Sequence, residues 1–318
     1  MDSVDRAFVR RALALGVLAV AVGVWSGCPG DGGGNDGGQD SGQDSGQDAG
    51  SDAGSDAGFD AGSDGGSDAG QPEPSVTAQD QTLDLATDLT VASVTATAQG
   101  WVVVTAPLAD GGTATGATAV APGTFSGVHV GVMDPLADGT TVTAELHRDL
   151  GTPGTYEPGV DPLVTADGGT PVTAAFHVTV PARTPAVRYT FVPTFGGGGF
   201  FIWRVSATPS TFASTLNSTG DNPTLTLFAG WRYEAVDLSF TGHPFQLANS
   251  SGTDTVLLSM QAGVGTLKDD PTIDWVDGTT TGGVARFTLS PSLQSQLNLY
   301  RCGVHFGTMR APVTIQSR

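Results

Sequence analysis

The stretch Ala285-Arg-Phe-Thr-Leu-Ser-Pro-Ser-Leu-Gln-Ser-Gln-Leu-Asn-Leu-Tyr-Arg-Cys-Gly-Val-His-Phe-Gly-Thr-Met309 lies close to the C-terminus of this chain of 318 residues. Its strand-like part ends at Cys302, His305 follows three residues later, and Met309 lies four residues beyond that. The whole chain has two cysteines and four methionines, so a thiol, an imidazole and a thioether in one short loop form an exceptional group. The pattern predicts a binding loop between two strands.

A second imidazole belongs to His243, which lies upstream in the run Gly-His-Pro-Phe-Gln-Leu. Two histidines, one cysteine and a weakly bound axial methionine make the ligand set of a blue-copper site. We therefore expect His243, Cys302 and His305 to be equatorial ligands of one copper ion and Met309 to be its axial ligand. The alternative is that each has the usual role of its residue type, with the cysteine and methionine in a core and the histidines in local hydrogen bonds.

The region 185–318 resembles the cupredoxin family over nearly its whole length. The run Asn-Pro-Thr-Leu-Thr-Leu from Asn222 is similar to the strand that precedes the first copper histidine, and the run around His243 is similar to the strand start that supplies it. The stretch 285–309 resembles the penultimate strand and ligand loop. The resemblance implies a Greek-key β-barrel with a type 1 copper site that serves electron transfer, or copper storage or delivery.

The dipeptide His243-Pro244 is also similar to the type 1 half of multicopper oxidases. Those enzymes need further histidines for a trinuclear cluster, and here Gln246 stands where one of them is expected. We therefore expect a binding protein or electron carrier and not an enzyme.

The N-terminus has the pattern of an export signal. Three arginines precede an apolar run over residues 12–24, which is too short to span a bilayer comfortably. The following Trp-Ser-Gly-Cys28 resembles a bacterial lipobox. We expect residues 1–27 to be a lipoprotein signal peptide and Cys28 to carry the acyl chains that bind the protein to a lipid bilayer. The protein would then lie in the cell envelope, on the outer membrane, facing the periplasm or the cell surface. The alternative is ordinary secretion, with Cys28 removed or free.

Lipidation of Cys28 would leave Cys302 without a disulfide partner in an oxidising compartment. An unpaired thiol is a liability there unless something binds it, which favours a metal at Cys302.

Residues 28–74 are predicted to be a disordered acidic tether. An aspartate recurs at every fourth position from Asp36 to Asp68, among glycine, serine, alanine and glutamine, and no lysine or arginine interrupts the run. Such a segment has little to bury and repels itself. Repeated aspartates also occur in calcium loops, but a period of four fits neither the EF-hand nor the nonapeptide repeat.

The formal net charge of −19 argues against nucleic acid as a partner, because no basic patch accompanies it. About half of this charge lies in the predicted tether. A redox partner with a neutral or positive surface is the partner that we expect, and the protein is expected to be a monomer.

Short β-branched runs separated by Asp-Gly, Gly-Gly and Pro-Gly predict an all-β fold for the remainder, with two antiparallel β-sandwich domains over 75–182 and 185–318. Residues 86–182 resemble an uncharacterised family of secreted β-domains, on the runs Val91–Val104 and Ala144–Asp149. His129, His147 and His177 lie in this part, and a zinc site is one interpretation of them. The other interpretation is that each of these histidines makes local hydrogen bonds, because none of them has a closely spaced partner ligand. If no metal binds anywhere, the chain is a surface binding or structural module.

Overall fold

The computed structural model describes residues 72–217, 220–250 and 254–317 and is all-β, as the turn-rich sequence predicts. Its helical segments in these ranges are a 3-10 turn, Ser210–Thr215, and the single-turn helix α1, Pro291–Gln294. None of the helices in these ranges has the length and apolar character to cross a membrane. The predicted signal peptide, Cys28 and most of the predicted tether lie outside the described residues.

The N-terminal sandwich packs one three-stranded sheet, in the order β1-β3-β6, against a five-stranded sheet, β2-β8-β7-β4-β5. In β7 alternate side chains are buried, namely Val142, Ala144 and Leu146, as expected for a strand with one face on a core. The strands are β1 Ser75–Thr77, β2 Gln81–Thr82, β3 Asp88–Ala96, β4 Gly100–Pro107, β5 Thr113–Val120, β6 Gly123–Gly131, β7 Thr141–Arg148 and β8 Thr173–Thr179.

The C-terminal sandwich packs a four-stranded sheet, β10-β9-β12-β15, against a five-stranded sheet, β11-β17-β16-β13-β14. Large aromatic side chains from both sheets fill the space between them, among them Phe191, Trp203 and Tyr300. The strands are β9 Val187–Phe195, β10 Phe201–Thr208, β11 Leu225–Phe228, β12 Arg232–Asp237, β13 Phe245–Asn249, β14 Thr255–Ser259, β15 Val284–Thr288, β16 Leu299–Cys302 and β17 Arg310–Gln316.

The sheets are mixed and not purely antiparallel. Three strand pairs run parallel: β2 with β8, β9 with β12, and β11 with β17. Parallel partners need a long crossover connection, and each of these pairs joins segments that are far apart in the chain. Hydrophobic periodicity identifies a strand but carries no information on the direction of its neighbour, so the sequence did not predict this feature.

Strand β5 was also not predicted, because its sequence Thr-Ala-Thr-Gly-Ala-Thr-Ala-Val has almost no large apolar residue. The structure gives the reason for the glycine in this strand. A Cβ atom at Gly116 would lie 2.3 Å from the carbonyl oxygen of Gly131 in β6, so the two backbones approach too closely for a side chain.

The two sandwiches have separate hydrophobic cores, and the described residues form one compact unit. Two hydrogen bonds join them at the connection: the backbone amide of Ala86 donates to the carbonyl of Pro185 at 2.8 Å, and the side-chain hydroxyl of Thr87 donates to the carbonyl of Ala186. Met133 of the N-terminal sandwich packs against the C-terminal core.

Candidate metal centre

Strand pairing brings the predicted ligands to one edge of the five-stranded C-terminal sheet. Phe245, at the start of β13, pairs with Cys302, at the end of β16, in an antiparallel register. His243 lies two residues before β13, so it reaches the same edge as Cys302. The loop 303–309 then leads from β16 into β17 and carries His305 over that edge.

The donor atoms of three predicted ligands converge. The Sγ atom of Cys302 lies 3.9 Å from Nδ1 of His243 and 3.8 Å from Nδ1 of His305, and the two nitrogens are 3.0 Å apart. Bonds from a metal to imidazole nitrogen and to thiolate sulfur are ~2.0–2.3 Å long, so donors that share one ion lie roughly 3–4 Å from one another. The measured triangle has these dimensions. Among the described residues it is the one group of three or more His, Cys, Asp or Glu side chains with this spacing.

The sulfur of Cys302 lies at the floor of the site and receives two backbone hydrogen bonds. The amides of Val304 and His305 each donate to Sγ at 3.3 Å. Burial raises the pKa of the thiol above its ordinary value, while the two amides act in the opposite direction. A metal cation at the site would overcome the effect of burial, because thiolate and not thiol is the form that binds metal.

The two imidazoles are only partly buried, and their rings stack with centroids 4.7 Å apart. Burial lowers the pKa of His243, and the neighbouring His305 lowers it further. Both effects favour the neutral ring, which is the form that binds a metal. Phe201 of β10 packs against both rings at centroid distances of 4.6 and 4.9 Å. This phenyl ring shields one side of the pair from solvent.

Met309 is fully buried beside the site, at the last position before β17. Its amide donates to the carbonyl of His305 at 2.9 Å, and its carbonyl accepts from the amide of Cys302 at 2.8 Å. These two bonds close the loop 303–309 on itself and fix the backbone of the predicted axial residue next to the predicted equatorial residues.

Further contacts hold the ligand-bearing segments together. The carbonyl of Pro244, directly after the first histidine, accepts from the amide of Gly303 at 2.8 Å. Asn222 accepts from the amide of Trp203 and donates to the carbonyl of Thr308, both at 2.8 Å. It therefore ties the ligand loop to β10 of the opposite sheet.

A buried carboxyl group lies at the start of the segment that leads from β12 to His243. Asp237 ends β12, and the backbone amides of Ser239 and Phe245 hydrogen-bond its carboxyl group on the two sides of that segment. Its Oδ2 atom is buried without a partner. Burial raises the pKa of Asp237 to about 7, and its charge contributes to raising the pKa of Cys302.

The sequence indicated the four ligand positions but neither Phe201 nor Asp237. A phenylalanine in a strand and an aspartate near a turn are ordinary residues, and only the fold brings them to the site. The other histidines have local partners instead: His129 contacts Asp88, His177 contacts Asp80, and His147 contacts the carbonyl of Asp161. These three imidazoles do not form a common site, so zinc binding by them is not supported.

Comparison with known families gives one match in the chain. Residues 74–179 match a family model described as a domain of unknown function (DUF7282). None of the curated proteins compared with the chain is similar to it. The match covers the N-terminal sandwich and includes none of the residues of the candidate metal centre.

Proposed function

We propose that the C-terminal sandwich binds one copper ion in a type 1-like site and that the protein transfers single electrons or handles copper outside the cytoplasm. The observation that carries the proposal is the triangle of donor atoms from His243, Cys302 and His305, with sides of 3.0 to 3.9 Å. The three residues come from two segments that are distant in sequence.

The donor set favours copper over other metals. Thiolate and thioether are soft donors that select copper, zinc or iron–sulfur clusters, and three strong donors with a thioether on the same loop suit copper in particular. A bound copper ion supplies one-electron redox chemistry. Around it, the amides of Val304 and His305 would hold the sulfur in place, and Met309 would supply the axial donor.

A preorganised site is what one-electron transfer needs, because little rearrangement then accompanies the change of charge. The rigid parts are the β13–β16 pairing, the hydrogen bond between Gly303 and Pro244, and the bridge through Asn222. Exposed apolar side chains, Val304 and Phe306, flank His305 on the ligand loop and leave a route to a redox partner. We do not assign an enzymatic activity.

The proposed location is the cell envelope, where the acylated Cys28 would anchor the protein to the outer membrane and the acidic tether would separate the sandwiches from the lipid surface. This part of the proposal depends on the sequence pattern of residues 1–74. Labelling of cells with a radioactive fatty acid tests it, since Cys28→Ser is expected to abolish incorporation.

The metal proposal is tested by adding Cu(II) to the purified protein that begins at residue 71. We expect one equivalent to bind and an intense visible thiolate-to-copper charge-transfer band to appear. Cys302→Ser should abolish the band, whereas His177→Gln, which changes an exposed histidine in the other sandwich, should not affect it. A colourless protein without stoichiometric copper would leave the metal-free surface module as the function.

The axial role of Met309 is tested separately. Met309→Leu should retain copper but raise the reduction potential and shift the visible spectrum, because loss of a weak donor destabilises Cu(II) more than Cu(I). Met260→Leu is the matched control, since Met260 is equally buried in the same core. Identical spectra and potentials for the two variants would exclude Met309 as a ligand.

Rapid oxidation of the reduced protein by a cytochrome would favour electron transfer over storage.

A further inference from the structure

An arginine-lined cleft lies at the junction of the two sandwiches, away from the candidate metal centre. It has a volume of about 510 Å³, and its walls include Asp84 of the N-terminal sandwich, the connection at Arg183, and the outer face of the four-stranded sheet. Four of its lining residues are arginines: Arg183, Arg188, Arg232 and Arg286. This concentration is notable in a chain with a net charge of −19.

The four-stranded sheet forms the inner wall of the cleft, where charged side chains of neighbouring strands pair with one another. Glu234 of β12 pairs in register with Arg188 of β9 on one side and with Arg286 of β15 on the other. Its carboxylate is buried and contacts both guanidinium groups, Arg188 through Nε and Arg286 through Nε and a terminal nitrogen. One carboxylate thus serves two arginines, each of which is more than a third exposed.

Arg232, two residues before Glu234, is the most deeply buried of the four arginines, with 9% of its side chain exposed. Its terminal nitrogens contact Asp274 and Thr288, but its buried Nε has no acceptor. Asp274 also contacts Arg183, so this second carboxylate is shared as well. Burial lowers the pKa of Arg232, the charge of Asp274 acts in the opposite direction, and the charges of Arg183 and Arg286 lower the pKa further.

Two carboxylates near the cleft, those of Glu234 and Asp274, are each shared between two of the four arginines, and Arg188 also interacts with the charge of Asp88. The terminal nitrogens of Arg183 and Arg188 have no acceptor among the described residues. Guanidinium groups present planar forks that match the oxygens of carboxylates and phosphates.

We infer that this cleft is a binding site for a small ligand that carries a carboxylate or phosphate group. The ligand's oxyanion would accept hydrogen bonds from the free terminal nitrogens of Arg183 and Arg188. Clefts between sandwiches or domains are a preferred location for such ligands. The inference does not depend on copper, because no residue of the metal centre lines the cleft.

Two probes distinguish the two sources of the oxyanion: inorganic phosphate and succinate. Each is titrated into the purified full chain at low ionic strength, where screening is weak, by calorimetry and by NMR of the arginine Nε–H groups. We expect saturable shifts of the Nε–H signals of Arg183, Arg188 and Arg232 with at least one probe, and no shift of the Arg204 signal. The probe that binds more tightly identifies the class of ligand.

Arg183→Gln provides the decisive variant, since Arg183 is mostly exposed and its loss leaves the core intact. The dissociation constant for the preferred probe should rise about fivefold or more, the effect of one lost charge at a partly exposed site. Arg204→Gln removes an arginine of similar exposure outside the cleft and should leave the constant unchanged. Absence of saturable binding with both probes, or equal effects of the two variants, would mean that these arginines serve only their ion pairs.

Discussion

Asp237 illustrates how one residue connects the fold to the candidate metal centre. Two other carboxyl groups in the described residues are equally buried but fully compensated: Asp161 accepts backbone hydrogen bonds from Leu150, Gly151 and Glu157, and Glu234 contacts two arginines. Asp237 has two backbone amides and one oxygen without a partner. Its folded environment therefore favours the protonated, neutral form.

The raised pKa of Asp237 predicts a pH-dependent contribution to stability. Because the pKa rises from 3.8 in the unfolded chain to about 7 in the folded protein, the stabilisation by the bound proton is complete below pH ~4. It is lost as the pH rises to about 7, at ~1.4 kcal/mol for each unit between the two values. Asp237→Asn cannot ionise, so the free energy of unfolding of this variant should fall less between pH 5 and pH 8 than that of the original protein.

Urea unfolding of the metal-free protein at several pH values measures this difference. Asp167→Asn, at an exposed turn position, is the control and should keep the original pH profile. If Asp237→Asn and the original protein lose the same free energy between pH 5 and pH 8, Asp237 is ionised in the folded state and the buried oxygen has a partner, such as a water molecule.

At the residue scale, spacing and residue type were sufficient to indicate His243, Cys302 and His305, because donor-bearing side chains at strand ends are rare in a sequence with five histidines and two cysteines. The same approach did not indicate Asp237, Phe201 or the arginine cleft. Their roles depend on burial and on neighbours from distant strands, and a sequence pattern contains neither.

Among the elements, the loop 303–309 between β16 and β17 has the closest connection to the proposed function, and Asn222 links this loop to the opposite sheet. The side chain satisfies the amide of Trp203 and the carbonyl of Thr308 at the same time. Asn222→Ala leaves both backbone groups without a partner, which costs about 1–3 kcal/mol for each group that stays buried. We expect a lower midpoint of thermal unfolding and a weaker, broader copper band.

Asn222→Asp separates the two contacts. Aspartate retains an oxygen that accepts from Trp203 but has no donor for the carbonyl of Thr308, so the ligand loop alone should loosen. The midpoint of thermal unfolding of the metal-free protein should then fall less than it does in Asn222→Ala. Copper should dissociate faster from Asn222→Asp than from the original protein. Copper dissociation at the original rate from both variants would show that the loop is held without Asn222.

The elements themselves were predictable to different extents. Strands with strong alternation, such as β7, are evident in the sequence because one of their faces packs on a core. The bounds of β12, Arg232–Asp237, are harder to predict. Polar or charged residues such as Arg232 and Glu234 weaken the hydrophobic signal at the start of that strand, although their partners in neighbouring strands stabilise them there.

At the scale of the whole molecule, the candidate metal centre and its supports belong to one sandwich. The proposed ligands and the supporting residues Asn222 and Asp237 all follow residue 183, and the side chains between the sheets form a core of their own. Contacts across the junction include those of Ala86, Thr87 and Met133, and Gly131 approaches Pro209 and Thr211 closely. The boundary that the sequence predicts between 182 and 185 therefore remains a hypothesis that truncation can test.

A fragment that comprises residues 183–318 should fold and bind one copper ion with the same visible band as the longer protein, because it retains every proposed ligand and the hydrophobic core of the C-terminal sandwich. Its midpoint of thermal unfolding should be lower, since loss of the N-terminal sandwich exposes the C-terminal residues that Met133 covers and frees the carbonyls of Pro185 and Ala186. Absorption spectroscopy and calorimetry of the fragment measure both quantities. An unfolded fragment, in which far-UV circular dichroism shows no β-structure, would mean that the two sandwiches form one cooperative unit. A folded but colourless fragment would instead place part of the metal centre's support in the N-terminal sandwich.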